Sequence, residues 1–122
     1  MNGTTYNITS YALNTQQAEV GLMNTTVTNS TFMLFVFPKP GNYTFWMKNT
    51  YSQLDIIWIY AKGNTDVVTN VANASPCISY DPNQTNCIVY SPSGAANYVI
   101  ETSAGFIERN GIKAGSAILF NK

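Results

Sequence analysis

The sequence predicts a mainly β domain of the α+β class, built as a small, partly closed barrel of short strands with one or two short helices. Three observations point there. Aromatic and β-branched residues recur in runs of strand length, separated by breaks rich in Pro, Gly and Asn. Helix signals are confined to two short stretches, after Thr15 and after Ser103. The chain of 122 residues suffices for one compact core and shows no internal repeat, so residues 1–122 read as a single domain.

Taken in order, Tyr6, Ile8, Tyr11 and Leu13 suggest an opening extended segment. Thr15 is placed to cap a short helix, with Val20, Leu22 and Met23 turned inward. Residues 24–31 are polar loop. The continuous apolar run at residues 32–37 has the length and character of a strand buried on both faces. Pro38-Lys39-Pro40-Gly41-Asn42 is expected to end it, because proline cannot donate to a ladder. Residues 43–47 and 54–61 read as further strands, and Lys62-Gly63-Asn64 as a turn into a strand over residues 65–72. A long loop over residues 73–87 follows, then short strands at 88–90 and 97–101. Ser103 is placed to cap one or two helical turns that Gly111 stops, before a last strand at 117–120.

Charge is scarce. Only 10% of residues are Asp, Glu, Lys or Arg, against about 25% in average soluble proteins. Six basic and six acidic residues cancel, and no aromatic–basic alternation occurs, so nucleic acid is not an expected partner. The apolar runs are far shorter than the roughly 20 residues of a membrane helix. Met1-Asn2-Gly3-Thr4-Thr5 has no signal-peptide character, which suggests a mature domain whose export signal or anchor is removed. Seven Asn-x-Ser/Thr sequons, at Asn2, Asn7, Asn24, Asn29, Asn42, Asn73 and Asn83, mark acceptors for N-glycosylation if the chain meets that machinery. Some such sequons also arise by chance in an Asn- and Thr-rich chain. Cys77 and Cys87 flank turn formers and can close a disulfide, the competing reading being two free core thiols. Together these point to an extracellular or cell-surface protein.

Histidine is absent, which excludes Ser-His-Asp and Cys-His sites. Two Cys without His leave a zinc site half built, so no metal is expected, and no phosphate-binding glycine loop or cofactor motif is found. Asp81-Pro82-Asn83-Gln84-Thr85 spaces oxygens as a calcium loop does but lacks its glycine and bidentate Glu. Asp55 and Glu101 are the candidate catalytic carboxylates for hydrolysis; ion pairing of Asp55 with Lys48, and of Glu101 with Arg109 or Lys48, is the structural alternative. Trp46, Lys48, Asn49 and Asp55 form the candidate ligand-binding set, with Trp46 as a stacking platform; the alternative is a buried Trp46 anchoring the barrel. Trp58 reads as core.

A series of short motifs runs through Glu19-Val20-Gly21-Leu22-Met23, Met33-Leu34-Phe35-Val36-Phe37-Pro38, Phe45-Trp46-Met47-Lys48-Asn49-Thr50 and Leu54-Asp55-Ile56-Ile57. It continues through Pro76-Cys77, Cys87, Tyr90, Tyr98-Val99-Ile100-Glu101, Ala104-Gly105 and Gly111-Ile112-Lys113-Ala114-Gly115. In these motifs and their order the chain resembles the Domain of Unknown Function 192 family of small, often exported prokaryotic proteins. Asn24-Thr25-Thr26, Ser116 and Tyr60-Ala61 stand where the family has a basic residue, an Asp and an acidic turn. The resemblance implies a compact, mainly β fold and no established activity. The function expected is a non-enzymatic binding or accessory module of the cell envelope with a glycan or protein ligand. A carboxylate-based hydrolase and a structural surface component are the alternatives.

Overall fold

The apolar run beginning at Phe32 becomes an interior strand of a five-stranded sheet, because all of Phe32, Met33, Leu34 and Phe35 find cover on one face or the other. The computed structural model describes residues 6–63, 65–78 and 87–121, the side chains of Lys62 and Asn121 excepted. Its elements are β1 (Tyr6–Asn7), β2 (Ser10–Ala12), α1 (Thr15–Val20), β3 (Phe32–Gly41), β4 (Phe45–Trp46), β5 (Leu54–Lys62), β6 (Thr65–Ala74), β7 (Val89–Tyr90), β8 (Ala96–Ser103), α2 (Phe106–Asn110) and β9 (Phe120–Asn121). The main sheet has the order β2-β3-β8-β5-β6, with β2 parallel to β3 and the other neighbours antiparallel.

Two separate cores follow from the pleat, which sends alternate side chains to opposite faces. On one face Met33, Phe35, Leu54, Ile56, Trp58 and Val99 pack with Leu22, Phe45 and Met47. On the other, Leu34, Ile57, Ile59 and Ile100 pack with Phe106, Ile107, Ile112, Ile118 and Phe120. The two-stranded ribbon β4–β7 belongs to the first face and the parallel pair β1–β9 to the second. Trp58 is buried as expected, and its indole N–H donates to the Tyr43 carbonyl at 2.8 Å, which secures the chain leading into β4. Cys77 and Cys87 are disulfide-bonded, and the Asn49 N–H donates to the Cys77 carbonyl at 2.9 Å.

The expected barrel does not form. Closure needs β2 to pair with β6, but β6 instead bonds the chain before β9: Val68 N–H to Ser116 O, and Gly115 and Ile118 N–H to Val68 O and Asp66 O. A sheet packed on both faces also has less reason to curl, since neither face is left facing a lumen. Other boundaries shift for local reasons. Asn14, not Thr15, caps α1, its Oδ1 accepting the Gln17 N–H at 2.8 Å. Strand β3 runs on through Pro38 and Pro40 to Gly41, because the register breaks between Val36 and Gly41 and no ladder donor is asked of either proline. Val20 faces solvent rather than the core. Gly111 ends α2 in the left-handed conformation, φ 59°, as expected. The turn residue Asn64, the calcium-like segment at 81–85 and the sequons at Asn2 and Asn83 lie outside the described residues.

Helix α2 starts at Gly105, which has no side chain to cap it. Asp55, from β5, supplies the cap: its Oδ2 accepts the N–H of Gly105 at 3.1 Å and of Ile107 at 2.9 Å. The carboxyl is buried, and its Oδ1 has no hydrogen-bond partner among the described residues. Burial pushes the Asp55 carboxyl above its ordinary range, while the Ile107 and Gly105 N–H groups and the Arg109 guanidinium pull the other way. Asp55→Ala is expected to cost about 2 kcal/mol in urea unfolding, and Asp55→Asn, which keeps one acceptor, about half that. Equal losses for the two variants contradict the capping role.

Candidate functional site

Register decides where the two candidate carboxylates stand. Asp55 lies opposite Thr102, whereas Glu101 lies opposite Ile56 on β5 and Met33 on β3. Directly opposed residues share a face and successive residues alternate. Asp55 therefore projects into the α2 side of the sheet and Glu101 into the β4 side. They do not flank a common space. Of the expected ion-pair partners, Arg109 lies beside Asp55 rather than Glu101.

Glu101 sits at the floor of a cavity of about 800 Å³. The walls come from two sequence-distant stretches, between Ala12 and Leu22 from the end of β2 through α1 and between Val36 and Trp46 from β3 into β4, and from the single residues Thr50 and Val89. Glycine makes the approach to the carboxyl feasible. Gly21 ends α1 at φ 50°, and the Cβ it lacks would stand 3.3 Å from Glu101 Oε1 and 3.6 Å from Phe35 Cζ. Any other residue would be strained there and would press on the carboxyl.

The lining is largely apolar and aromatic. Phe37 and Tyr43 stack with ring centroids 3.7 Å apart, and Phe45 meets Phe35 edge-on at 4.9 Å. Trp46, expected on the barrel reading to be buried, is 36% exposed at the rim, and the Lys48 Nζ lies 5.3 Å from its ring centroid. Leu13 (63% exposed) and Val20 (55% exposed) extend the apolar rim, together with Val89. Exposed apolar side chains gathered round one opening mark a contact surface more than scattered ones do.

Glu101 itself is 3% exposed and receives no hydrogen bond from a described residue. Burial pushes its carboxyl up from 4.5 to about 8, so at neutral pH it is held as the neutral acid. The carboxyl lines a ligand-sized space, which is where a ligand group could reach it.

Trp46 thus stands at the cavity, and Asp55 does not. Asn49 adopts φ 54° and joins Asn24 to Cys77 through backbone bonds, serving a turn. Lys48 forms a bridge with Cys77 beside Trp46. The described sequon residues Asn7, Asn24, Asn29, Asn42 and Asn73 are all exposed, and Asn42 lies at the cavity mouth. Among the described residues no three Cys, Asp or Glu side chains gather as a metal site would require, and no helix is long and apolar enough to cross a membrane. Sequence reasoning missed Gly21, Leu13, Tyr43 and Phe45 as site residues, since only the fold brings them over Glu101.

The burial of Glu101 predicts a pH signature. The unfolded chain releases this proton near 4.5 and the folded one near 8. Between those values the native state holds the extra proton, so stability is full below 4.5 and falls as pH rises, by about 1.4 kcal/mol per pH unit. Glu101→Gln is expected to remove this slope relative to wild type in urea melts at several pH values. Parallel profiles for the two proteins contradict it.

Comparison with known proteins adds family and fold. A crystal structure of a protein of unknown function from Novosphingobium aromaticivorans is similar, with 32% identity and a TM-score of 0.71, covering 88% of this chain and 71% of that one. Another, of a candidate transcription regulator from Sinorhizobium meliloti, has 28% identity and a TM-score of 0.71, covering 90% of this chain and 81% of that one. No match is found among curated proteins. The profile of the Domain of Unknown Function 192 family, described as "Uncharacterized ACR", matches residues 2–120. The segments that carry the resemblance form the sheet, the cavity walls and the α2 cap, and the chain belongs to this family.

Proposed function

We propose that the protein is an exported, non-enzymatic binding module of the cell envelope, with the cavity over Glu101 as its ligand site. The observation that carries this reading is the conjunction of a ligand-sized apolar cavity, an exposed hydrophobic rim and a carboxyl at its floor that no described residue hydrogen-bonds. Glycans and envelope proteins are the ligands of interest, since Trp46 offers a stacking face at the rim. A hydrolase built on Asp55 and Glu101 finds no support, because the sheet separates them. Nucleic acid recognition, raised by the description of the Sinorhizobium meliloti protein, is disfavoured by a net charge of zero.

Export is supported by the disulfide and by the exposure of the described sequon residues. Intact mass of protein from its native host is expected to show excess removed by deglycosylation and a gain of two hydrogens on reduction. A bare mass with free thiols overturns the envelope assignment. Site use is checked by NMR titration with oligosaccharides and short amphipathic ligands. Amide shifts are expected around residues 12–22 and 42–46, and Leu13→Asp combined with Val20→Asp is expected to weaken binding at least tenfold, or about 1.4 kcal/mol, without lowering Tm. Shifts confined to the α2 face, or none at all, contradict the cavity as the site.

A further inference from the structure

Three features of the cavity bear on the chemistry of its ligand. The floor presents the Glu101 carboxyl, which takes no hydrogen bond from a described residue and whose titration is moved by burial. Among the described lining residues the only other acidic side chain is Glu19, and none is Lys or Arg. An anion passing the Lys48 ammonium at the rim would meet two carboxyl groups and, among the described lining residues, no further cation. The walls, finally, carry the rings of Phe37, Tyr43, Phe45 and Trp46, whose faces attract cations. The Lys48 ammonium already rests against Trp46 at the rim.

We infer that the cavity recognises an ammonium group carried on an apolar body, with Glu101 as the buried counter-ion; this rests on the cavity being the binding site. The apolar stem lies against Leu13, Val20 and Phe45, and the charged head reaches Glu101. As the head arrives, Glu101 gives its proton to solvent. One ammonium enters and one proton leaves, so the filled site holds a neutral ion pair. The empty site avoids an uncompensated buried charge by keeping the acid form, with its titration near 8. A neutral ligand would leave that proton in place.

Among the described residues, few titratable or charged groups stand near Glu101, and the cation at the rim is Lys48, over Trp46. Helix α1 contributes Glu19, and the link between β3 and β4 contributes Tyr43. The cross-strand neighbours Met33 on β3 and Ile56 on β5 do not titrate, nor do Phe45, Trp46 and Val89 from β4 and β7. Proton release on binding therefore reports Glu101 above all. A free alkylamine and a lysine side chain share this chemistry, and affinity ranks them.

The test is calorimetric titration of the intact protein with hexylammonium, hexan-1-ol and hexanoate, which share a stem and differ in head group. Hexylammonium is expected to bind at least tenfold tighter than hexan-1-ol at pH 8, with hexanoate weakest. Its affinity is expected to rise about fiftyfold from pH 6 to pH 8, as the ionised fraction of a group titrating near 8 rises. Runs in two buffers of different ionisation enthalpy are expected to show about one proton released at pH 6. Glu101→Gln should abolish the ammonium preference and the pH dependence while leaving hexan-1-ol binding in place; Glu19→Gln should reduce the preference only slightly. A capped lysine amide binding tighter than hexylammonium assigns the source to a protein side chain, and the reverse to a free amine; either ranking supports the ammonium. If hexan-1-ol binds as well as hexylammonium, or the preference survives Glu101→Gln, the inference falls and the cavity remains a site for neutral ligands. If none of the three binds, both the inference and the cavity reading fall.

Discussion

Strands β3, β5 and β8 are covered on both faces, and the parity of the β-pleat then assigns every one of their side chains to one of two cores. A shift of one residue in the pairing of β8 with β5 would exchange Glu101 with Ile100 or Thr102 and put the carboxyl into the α2 side. The register is held by large apolar residues on both faces at once, among them Ile56, Ile57, Trp58, Val99 and Ile100, each fully buried. Slippage would turn all of them the wrong way. Two-sided burial is thus what places one carboxyl under a helix terminus and the other under a cavity.

The two carboxyls answer the same desolvation cost differently. Asp55 is partly compensated by backbone N–H donors of α2 and by the nearby Arg109, with Oδ2 engaged in the cap and Oδ1 unpaired among the described residues. Glu101 has no such donors among the described residues, and Gly21 stands beside it where a larger residue would crowd the carboxyl. A native interior tolerates an unpartnered carboxyl best as the neutral acid, with part of the cost carried by stability at higher pH. Such a group is better explained by what the cavity receives than by what it does for folding.

Much of the framework was legible in the residues. The apolar run at 32–37, the buried Trp58, the stop at Gly111 and the family motifs all describe local patterns or short spacings, and these the fold keeps. The barrel was not legible, because closure depends on which edges meet, and β6 took its bonds from residues 115–118 instead. Asp55 and Glu101 stood out as a pair by residue type. Their separation onto opposite faces lies in inter-strand register, which neither strand encodes alone. Trp46 and Trp58 show the same division: both sit in aromatic runs, yet one is rim and the other core. Asn14 and Thr15 are both good caps, and only the helix start distinguishes them.

The central claim is that Glu101 is a neutral acid in the folded protein at neutral pH. A carbon-13 NMR titration of side-chain carboxyls, with Glu101 assigned by comparison with Glu101→Gln, measures it directly. A Glu101 transition near pH 8 is expected. A transition near 4.5 would mean that water or an unseen donor already satisfies the carboxyl, and would remove the basis for a proton-coupled ligand site.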